Sequence, residues 1–269
     1  IAVGARPDHM AGLDNFCWPD PIESEKTPDG QYKLAQLVRA NKALYDYCTA
    51  YNVPCISGKD SMKNDSTKGG KKISVPPTLL YSVISKIDDV SKSVSIDFKE
   101  NGDLIYVLGN TKAELGASEY YSMRGFMGNA VPTVDAETAV KLYAQLHAAI
   151  NQELCHSIIS PGIGGLSVAL SKASLAGGIG AVIDLAKLPV DAELSAEELL
   201  FSESNSRFIV TVPVANKDAF ESLFAGMAIG EIGTVSNMHG LEISMNENVI
   251  ASLDPFSIQA SYKETLKNA

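Results

Sequence analysis

Two glycine clusters bracket a short apolar run in the second half of the chain. Gly162-Ile163-Gly164-Gly165 precedes it, Gly177-Gly178-Ile179-Gly180 closes it, and the β-branched stretch Ala181–Leu185 follows at once. Glycine lets backbone approach backbone, so a helix bounded in this way and feeding a strand reads as one packed tightly on a sheet. The same Gly162–Gly165 run has a second reading, in which the free N–H groups of a helix N-terminus face an anion. It is not a dinucleotide fingerprint, because Ser167 stands where the third glycine is needed and no clear apolar strand precedes it.

The remaining punctuation predicts a mixed architecture. Trp18-Pro19-Asp20-Pro21 makes the start of the chain loop-rich, since proline removes a donor and restrains its neighbour. Leu34, Leu37, Val38, Asn41, Leu44, Tyr45 and Cys48 recur at helical spacing and predict a helix over 32–52. Val53–Ile56 reads as a short strand, the polar Gly58–Lys72 stretch as a loop, and Thr78–Ile87 as a buried strand. Lys99-Glu100-Asn101-Gly102 is a turn signal, which places a domain boundary near 98. Beyond it come a strand from Asp103 to Gly109 and a helix over 135–154 with Val140, Tyr143, Ala144, His147, Ile150 and Leu154 on its apolar stripe. Further strands are expected at Arg207–Pro213, Ala228–Val235 and Leu241–Met245, with a short helix at Lys217–Phe224. Helices and strands alternate without strict βαβ spacing, so the expected class is α+β, mixed α/β.

Composition narrows the function. The 269 residues carry 22 Lys and Arg against 32 Asp and Glu, a net charge of −10, which leaves no basic face for nucleic acid. No stretch of about 20 apolar residues could span a membrane. Cys17, Cys48, Cys55 and Cys155 have no CxxC spacing, and His9, His147, His156 and His239 form no HExxH or HxH cluster. Free thiols in a reducing cytoplasm are the expectation. The chain opens on Ile1 without a charged, apolar leader, so we expect no secretory signal and a chain cut or processed from something longer.

Three constellations could carry chemistry. Ser57-Gly58-Lys59-Asp60-Ser61 joins a flexible glycine, a cation, a carboxylate and two hydroxyls, a set that suits phosphate with Mg²⁺ or a polar surface turn. It is not a Walker A loop, because Val53 occupies the place of the first glycine. Phe201-Ser202-Glu203-Ser204-Asn205-Ser206-Arg207 suits a phosphate or sugar, or a turn that starts a strand. Asp14 lies in an apolar stretch, where a buried carboxylate needs a partner or a metal. Cys155-His156 reads as a structural pair rather than a nucleophile, and Lys63, Lys68, Lys71 and Lys72 as a solvated run.

Taken in order, GARPDHMAGLDNFCWPDP, QLVRANKALYDYC, VPCISGKDSMKND, VPPTLLYSVISKIDDV, ELGASEYY, GGLSVALSKASLAGGIGA and LFSESNSRFIV resemble phosphoribosylformylglycinamidine synthase, over nearly the whole chain. The part resembled is the C-terminal half of its synthetase region, an aminoimidazole-ribonucleotide-synthetase-like module lacking its first strands. The resemblance implies an N-terminal part, residues 1–98, that lends strands to a barrel-like sheet shared with a second copy, and a C-terminal α/β domain, residues 99–269. It implies an ATP-dependent ligase of purine biosynthesis: ATP phosphorylates the amide oxygen of formylglycinamide ribonucleotide, and ammonia from glutamine displaces the phosphate.

The implied ligands are ATP or ADP and Mg²⁺, held at Ser57, Gly58, Lys59, Asp60, Ser61, Glu203 and Ser204, with Asp14 and Asp60 at the metal. No catalytic residue is implied on this chain. The family has a His-Asp pair and a further Asp ahead of Gly164; Ile159, Ser160 and Ile163 stand there instead. An isoleucine cannot ligate Mg²⁺, so this half reads as structural or as an auxiliary nucleotide site, inactive alone. The implied partners are the first synthetase-like half and a glutaminase domain, and an exposed barrel edge would favour a homodimer. The competing readings are a non-enzymatic scaffold half, or another ATP-dependent member of the superfamily, of the thiamine-monophosphate kinase, selenophosphate synthetase or hydrogenase-maturation type.

Overall fold

The computed structural model describes residues 1–238 and 240–264; His239 lies outside them. The chain divides into two compact units, Arg6–Asp88 and Ile1–Ala5 with Asp89–Ala269. The turn at 99–102 lies inside the larger unit, and compactness divides the chain at 88/89.

The smaller unit is built on β1 (Met10–Cys17), α1 (Gly30–Ala50), β2 (Cys55–Ser61), β3 (Asp65–Lys68), β4 (Lys71–Ser74) and β5 (Thr78–Ser85). β1 lies between a parallel β2 and an antiparallel β5, and β3–β4 is a separate hairpin. The 58–72 stretch is therefore not one loop. An edge strand supported by ladder hydrogen bonds to β1 needs no apolar side chains, which is why its polar sequence hides it. Lys72 leaves the solvated run: its ammonium donates to Thr27 and pairs with Asp65 at 3.4 Å.

The stripe on α1 is only partly covered. Leu37, Leu44 and Cys48 are half-buried, while Leu34, Val38 and Tyr45 are exposed. Leu80 and Ile84 of β5 are exposed too, so β5 is not the buried strand that its composition predicts.

The larger unit contains β6 (Leu104–Leu108), α2 (Glu119–Met123), α3 (Ala136–Asn151), β7 (Ser157–Ile159), α4 (Gly165–Gly177), β8 (Gly180–Asp184), α5 (Ala196–Phe201), β9 (Phe208–Val212), α6 (Lys217–Leu223), β10 (Ile229–Ser236), β11 (Leu241–Met245), β12 (Asn248–Leu253) and α7 (Pro255–Glu264). Among the described residues its sheet runs in the order β12-β11-β8-β10-β6-β9-β7, with β8 and β11 parallel and the other neighbours antiparallel.

Strand alternation puts a core on each face. Ile105 and Val107 pack with Leu166, Leu170 and Ala173 of α4. Leu104, Tyr106 and Leu108 pack with Leu142 and Leu146 of α3 and with Phe220 of α6. The expected α3 stripe is rotated. Ala139, Leu142, Leu146, Ala149 and Ile150 face the core, and Val140 and Ala144 are exposed. Several apolar series run along this helix, and only the sheet beneath selects one of them.

Leu146 is fully buried. Leu146→Ala should therefore cost about 2–5 kcal/mol, and Val140→Ala should stay within about 0.5 kcal/mol. Urea denaturation of the two variants checks which face of α3 is inside.

Candidate functional site

The expected site residues fall in both units, and each group has its own local geometry. In the smaller unit Asp14 stands beside Gly58, Asn15 beside Lys59, and Phe16 beside Asp60. Cross-strand neighbours share a face and successive residues alternate. Asp14, Gly58 and Asp60 therefore lie on the face of the buried Phe16, while Ser57, Lys59 and Ser61 lie on the other with Asn15. A loop would have let Lys59 and Asp60 converge on one phosphate; the strand turns them to opposite sides. Lys59 donates to Ser61 along its own face. Gly58 leaves the Asp14 carboxylate its place opposite it, since a Cβ there would come within 2.6 Å of Asp14 Oδ1 and displace that side chain.

In the larger unit the Ser202–Arg207 turn is bound to the segment after β6. The Ser202 hydroxyl donates to the Lys112 carbonyl at 2.6 Å, and Ser204 Oγ accepts the Lys112 N–H at 3.2 Å. Both hydroxyls are buried. Ser204, expected to meet a nucleotide, anchors this turn and is 2% exposed.

Glu203 Oε1 accepts the Gly164 N–H at 2.9 Å and the Glu119 N–H at 3.1 Å. One carboxylate thus caps the N-termini of α4 and α2, where helix dipoles favour negative charge. The anion facing the glycine-rich helix start is the protein's own side chain. A strand, β7, does precede this run, too short to be evident from composition. A side chain at Gly165 would meet the Ser202 carbonyl at 2.6 Å and the Leu200 carbonyl at 2.8 Å, so the glycine is required for helix-to-turn packing. Ile163 projects into solvent, 70% exposed, and its side chain offers no ligand atom.

Arg207 is entirely buried behind the turn. Its guanidinium donates to Thr111 Oγ1 at 2.9 Å, to the Ser204 carbonyl at 3.0 Å and to the Ser202 carbonyl. Burial pulls its pKa down to about 10, against the charge of Glu114, so it stays cationic at neutral pH. Glu114 Oε1 accepts the Thr133 hydroxyl at 2.7 Å and the Thr133 N–H at 3.0 Å. Burial pushes the Glu114 carboxyl up, but the hydroxyls of Ser204 and Thr133 more than offset it and hold it below the usual range. Sequence reasoning missed Glu114, because a lone Glu in ELGASEYY carries no sign of burial.

Two further features complete the unit. A cavity of about 500 Å³ opens beside this turn, lined by Asn110, Lys112, Thr133, Asp135, Lys141 and Asn205. The Cys155 thiol is buried and pushed up to about 12 by that burial, while His156 Nδ1 lies 2.8 Å from Asp103 Oδ2. Burial disfavours the Cys155 thiolate, and His156 is turned to Asp103. Ligand atoms of Glu100, Asp103 and His156 lie within 4.8 Å of one another, a grouping with no marker in the sequence.

An exposed three-stranded sheet and a helix-covered seven-stranded sheet, with the glycine-started helix capped by a carboxylate from the Ser-Glu-Ser turn, define a mixed α/β synthetase-like module. Residues 100–246 match the family described as AIR synthase related protein, C-terminal domain, and the chain belongs to that family. It is 33% identical to the phosphoribosylformylglycinamidine synthase subunit PurL of Alkaliphilus metalliredigens over 93% of this chain and 32% of that protein. It is 31% identical to PurL of Methanocaldococcus jannaschii over 97% of this chain and 34% of that protein. The chain thus spans about a third of the length of these curated relatives.

Among solved structures, Thermotoga maritima PurL complexed with FGAR superposes with a TM-score of 0.71 at 17% identity, covering 96% of this chain and 40% of that one. The hydrogenase maturation protein HypE of E. coli superposes with a TM-score of 0.68 at 14% identity, covering 94% and 74%. At these identities the superpositions establish the shared fold.

Arg207→Ala would leave the buried Ser202 and Ser204 carbonyls without their guanidinium donors, a loss of about 1–3 kcal/mol for each, readable as a lower denaturation midpoint. Because the folded pKa of Glu114 is depressed, its contribution is full above the unfolded value of about 4.3 and is lost as pH falls through the folded value. Glu114→Gln should therefore flatten the acid limb of a stability–pH profile.

Proposed function

We propose that this chain is the second synthetase-like half of a PurL-type enzyme, the ATP-dependent carbon–nitrogen ligase that converts formylglycinamide ribonucleotide, glutamine and ATP to formylglycinamidine ribonucleotide. The observation that carries this reading is the 33% identity to a PurL subunit across 93% of the chain. The two compact units would be the N-terminal and C-terminal parts of one module. In the intact protein the first synthetase-like half would complete the sheet whose edges, β2 and β5, are unpaired among the described residues. The apolar side chains left exposed on α1 and β5 fit burial against such a partner, with glutamine hydrolysis in a separate glutaminase domain.

The role proposed for this half is an auxiliary nucleotide site. Asp14 and Asp60 share a face with Gly58 between them, an all-oxygen pair suited to Mg²⁺, which keeps several waters and takes few protein carboxylates. The ion would screen the charge of a nucleotide's phosphates. Lys59, on the opposite face with Ser57 and Ser61, would serve a separate polar contact.

A scaffold reading is favoured by one specific observation: Glu203 already occupies the N-termini of α4 and α2, where a phosphate would otherwise be received. Without the family's Asp ahead of Gly164, neither reading gives this half turnover of its own. HypE shares the fold, but the sequence matches to PurL favour the purine-pathway reading.

Isothermal titration of ADP and ATP into this chain, with and without Mg²⁺, tests the auxiliary site. Mg²⁺-dependent binding weakened at least tenfold by Asp14→Asn or Asp60→Asn is the expected result. Absence of binding in the full-length enzyme as well would leave the scaffold role. In that enzyme Lys59→Ala with Asp60→Ala should lower ligase turnover without shifting the melting temperature if the face is a site, and lower stability alone if it is scaffold.

A further inference from the structure

Cys48 lies in the last turn of α1 and Cys55 at the start of β2, with no CxxC spacing to link them. The fold brings them together. Their sulfurs lie 3.8 Å apart, in van der Waals contact, and both reach the Tyr81 hydroxyl, at 3.1 Å from Cys48 and 3.5 Å from Cys55. Tyr81 can reach them only because residue 12 is glycine: a Cβ at Gly12 would fall 1.8 Å from Tyr81 Oη. The two sulfurs differ in access, since Cys55 is exposed and Cys48 half-buried. An open groove lined by Leu44, Tyr45, Asn52 and Pro54 runs beside both.

We propose that Cys48 and Cys55 form a thiol–disulfide pair that reacts with small organic disulfides, with Cys55 as the attacking thiol and Cys48 as the resolving one.

The hydrogen bonds favour this order. The Cys48 thiol donates to the Tyr81 oxygen, which leaves the phenolic proton free to be donated to Cys55 sulfur, where it would stabilise a thiolate. Burial, with the neighbouring Cys55 and Asp14, holds the Cys48 thiol above its ordinary pKa although the hydrogen bond to Tyr81 acts the other way, so it is the poorer first nucleophile.

The reaction balances in two exchanges. Cys55 loses its proton to solvent, and its thiolate attacks a disulfide RSSR. The Cys55–S–SR bond forms, the RS–SR bond breaks, and RS⁻ leaves to take up a proton. Cys48 then gives up its proton and attacks the Cys55 sulfur. The Cys48–Cys55 bond forms and the second RS⁻ leaves, likewise protonated. In sum two thiols are oxidised by two electrons and one RSSR is reduced to two RSH.

The product would need the sulfurs to close from contact distance to about 2.05 Å, a movement absorbed by side-chain rotation at the fraying end of α1. The bond would tie the end of α1 to the strand that carries Ser57–Ser61. It needs neither nucleotide nor partner, so it stands apart from the functional reading above.

Glutathione disulfide is the probe. After incubation of the chain, quenching by alkylation and tryptic digestion without reductant, Cys48 and Cys55 fall in one peptide, residues 43–59. In the wild type that peptide should be lighter by two hydrogens and carry no alkyl group, while Cys17 and Cys155 are alkylated. In Cys48→Ser the same peptide should accumulate as the Cys55–glutathione adduct. In Cys55→Ser modification of Cys48 should slow by roughly tenfold or more. A stable Cys55 adduct in the wild type, a crosslink involving Cys17 or Cys155, or equal modification rates at Cys48 and Cys55 in the single variants would overturn the proposal.

Discussion

Strand β6 sees almost no solvent on either side, and the larger unit is organised by that fact. Five consecutive apolar residues, Leu104 to Leu108, send alternate side chains into two separate cores. A strand with no exposed face requires a layer on each side. α4 and α5 supply one layer and α3 and α6 the other. With the strand held on both faces, the segment leaving it and the one entering the antiparallel β9 are brought to one end of the sheet. There Lys112 and Glu114 meet Ser202, Ser204 and Arg207.

At that end the chain meets its own charges with its own groups. A buried guanidinium is tolerated because it spends its donors on a hydroxyl and on turn carbonyls, and because Glu114 lies within electrostatic reach. Glu203 satisfies N–H groups at two helix starts at once. Arg207 and Glu114 are buried, and Glu203 is half-buried. The Ser-Glu-Ser-Asn-Ser-Arg sequence looks like a ligand-binding loop, yet much of its polarity is consumed in holding the turn. The smaller unit differs: its β2 side chains are exposed, and its polar residues retain surface for an external partner or ligand.

Much of the architecture was legible. The helices at α1, α3 and α4 and the strands β6, β8, β9 and β11 follow from apolar periodicity and from glycine and proline punctuation, because these signals are local. β2 was legible only at its start, where the strand expected at Val53–Ile56 overlaps it, and the rest of β2, the β3–β4 hairpin and β7 were not. Their sequences are polar or very short, and their hydrogen bonds come from neighbours distant in the chain. The phase of α3 was misjudged because Val140 and Leu142 are equally apolar. The candidate site was legible in composition but not in arrangement: Lys59 and Asp60 are adjacent in sequence and opposed in space.

What the sequence by itself determined is the family, through unlike motifs kept in a fixed order, together with the mixed α/β class and the identity of the polar segments. Tertiary structure alone decided which of those polar groups face outward. It paired β1 with β2 and so separated Lys59 from Asp60. It turned Glu203 onto two helix N-termini and set Cys48 against Cys55. The reason is physical: a residue's type limits which interactions it can make, whereas the direction of a side chain and the identity of its partner depend on strand pairing and packing between segments far apart in the chain.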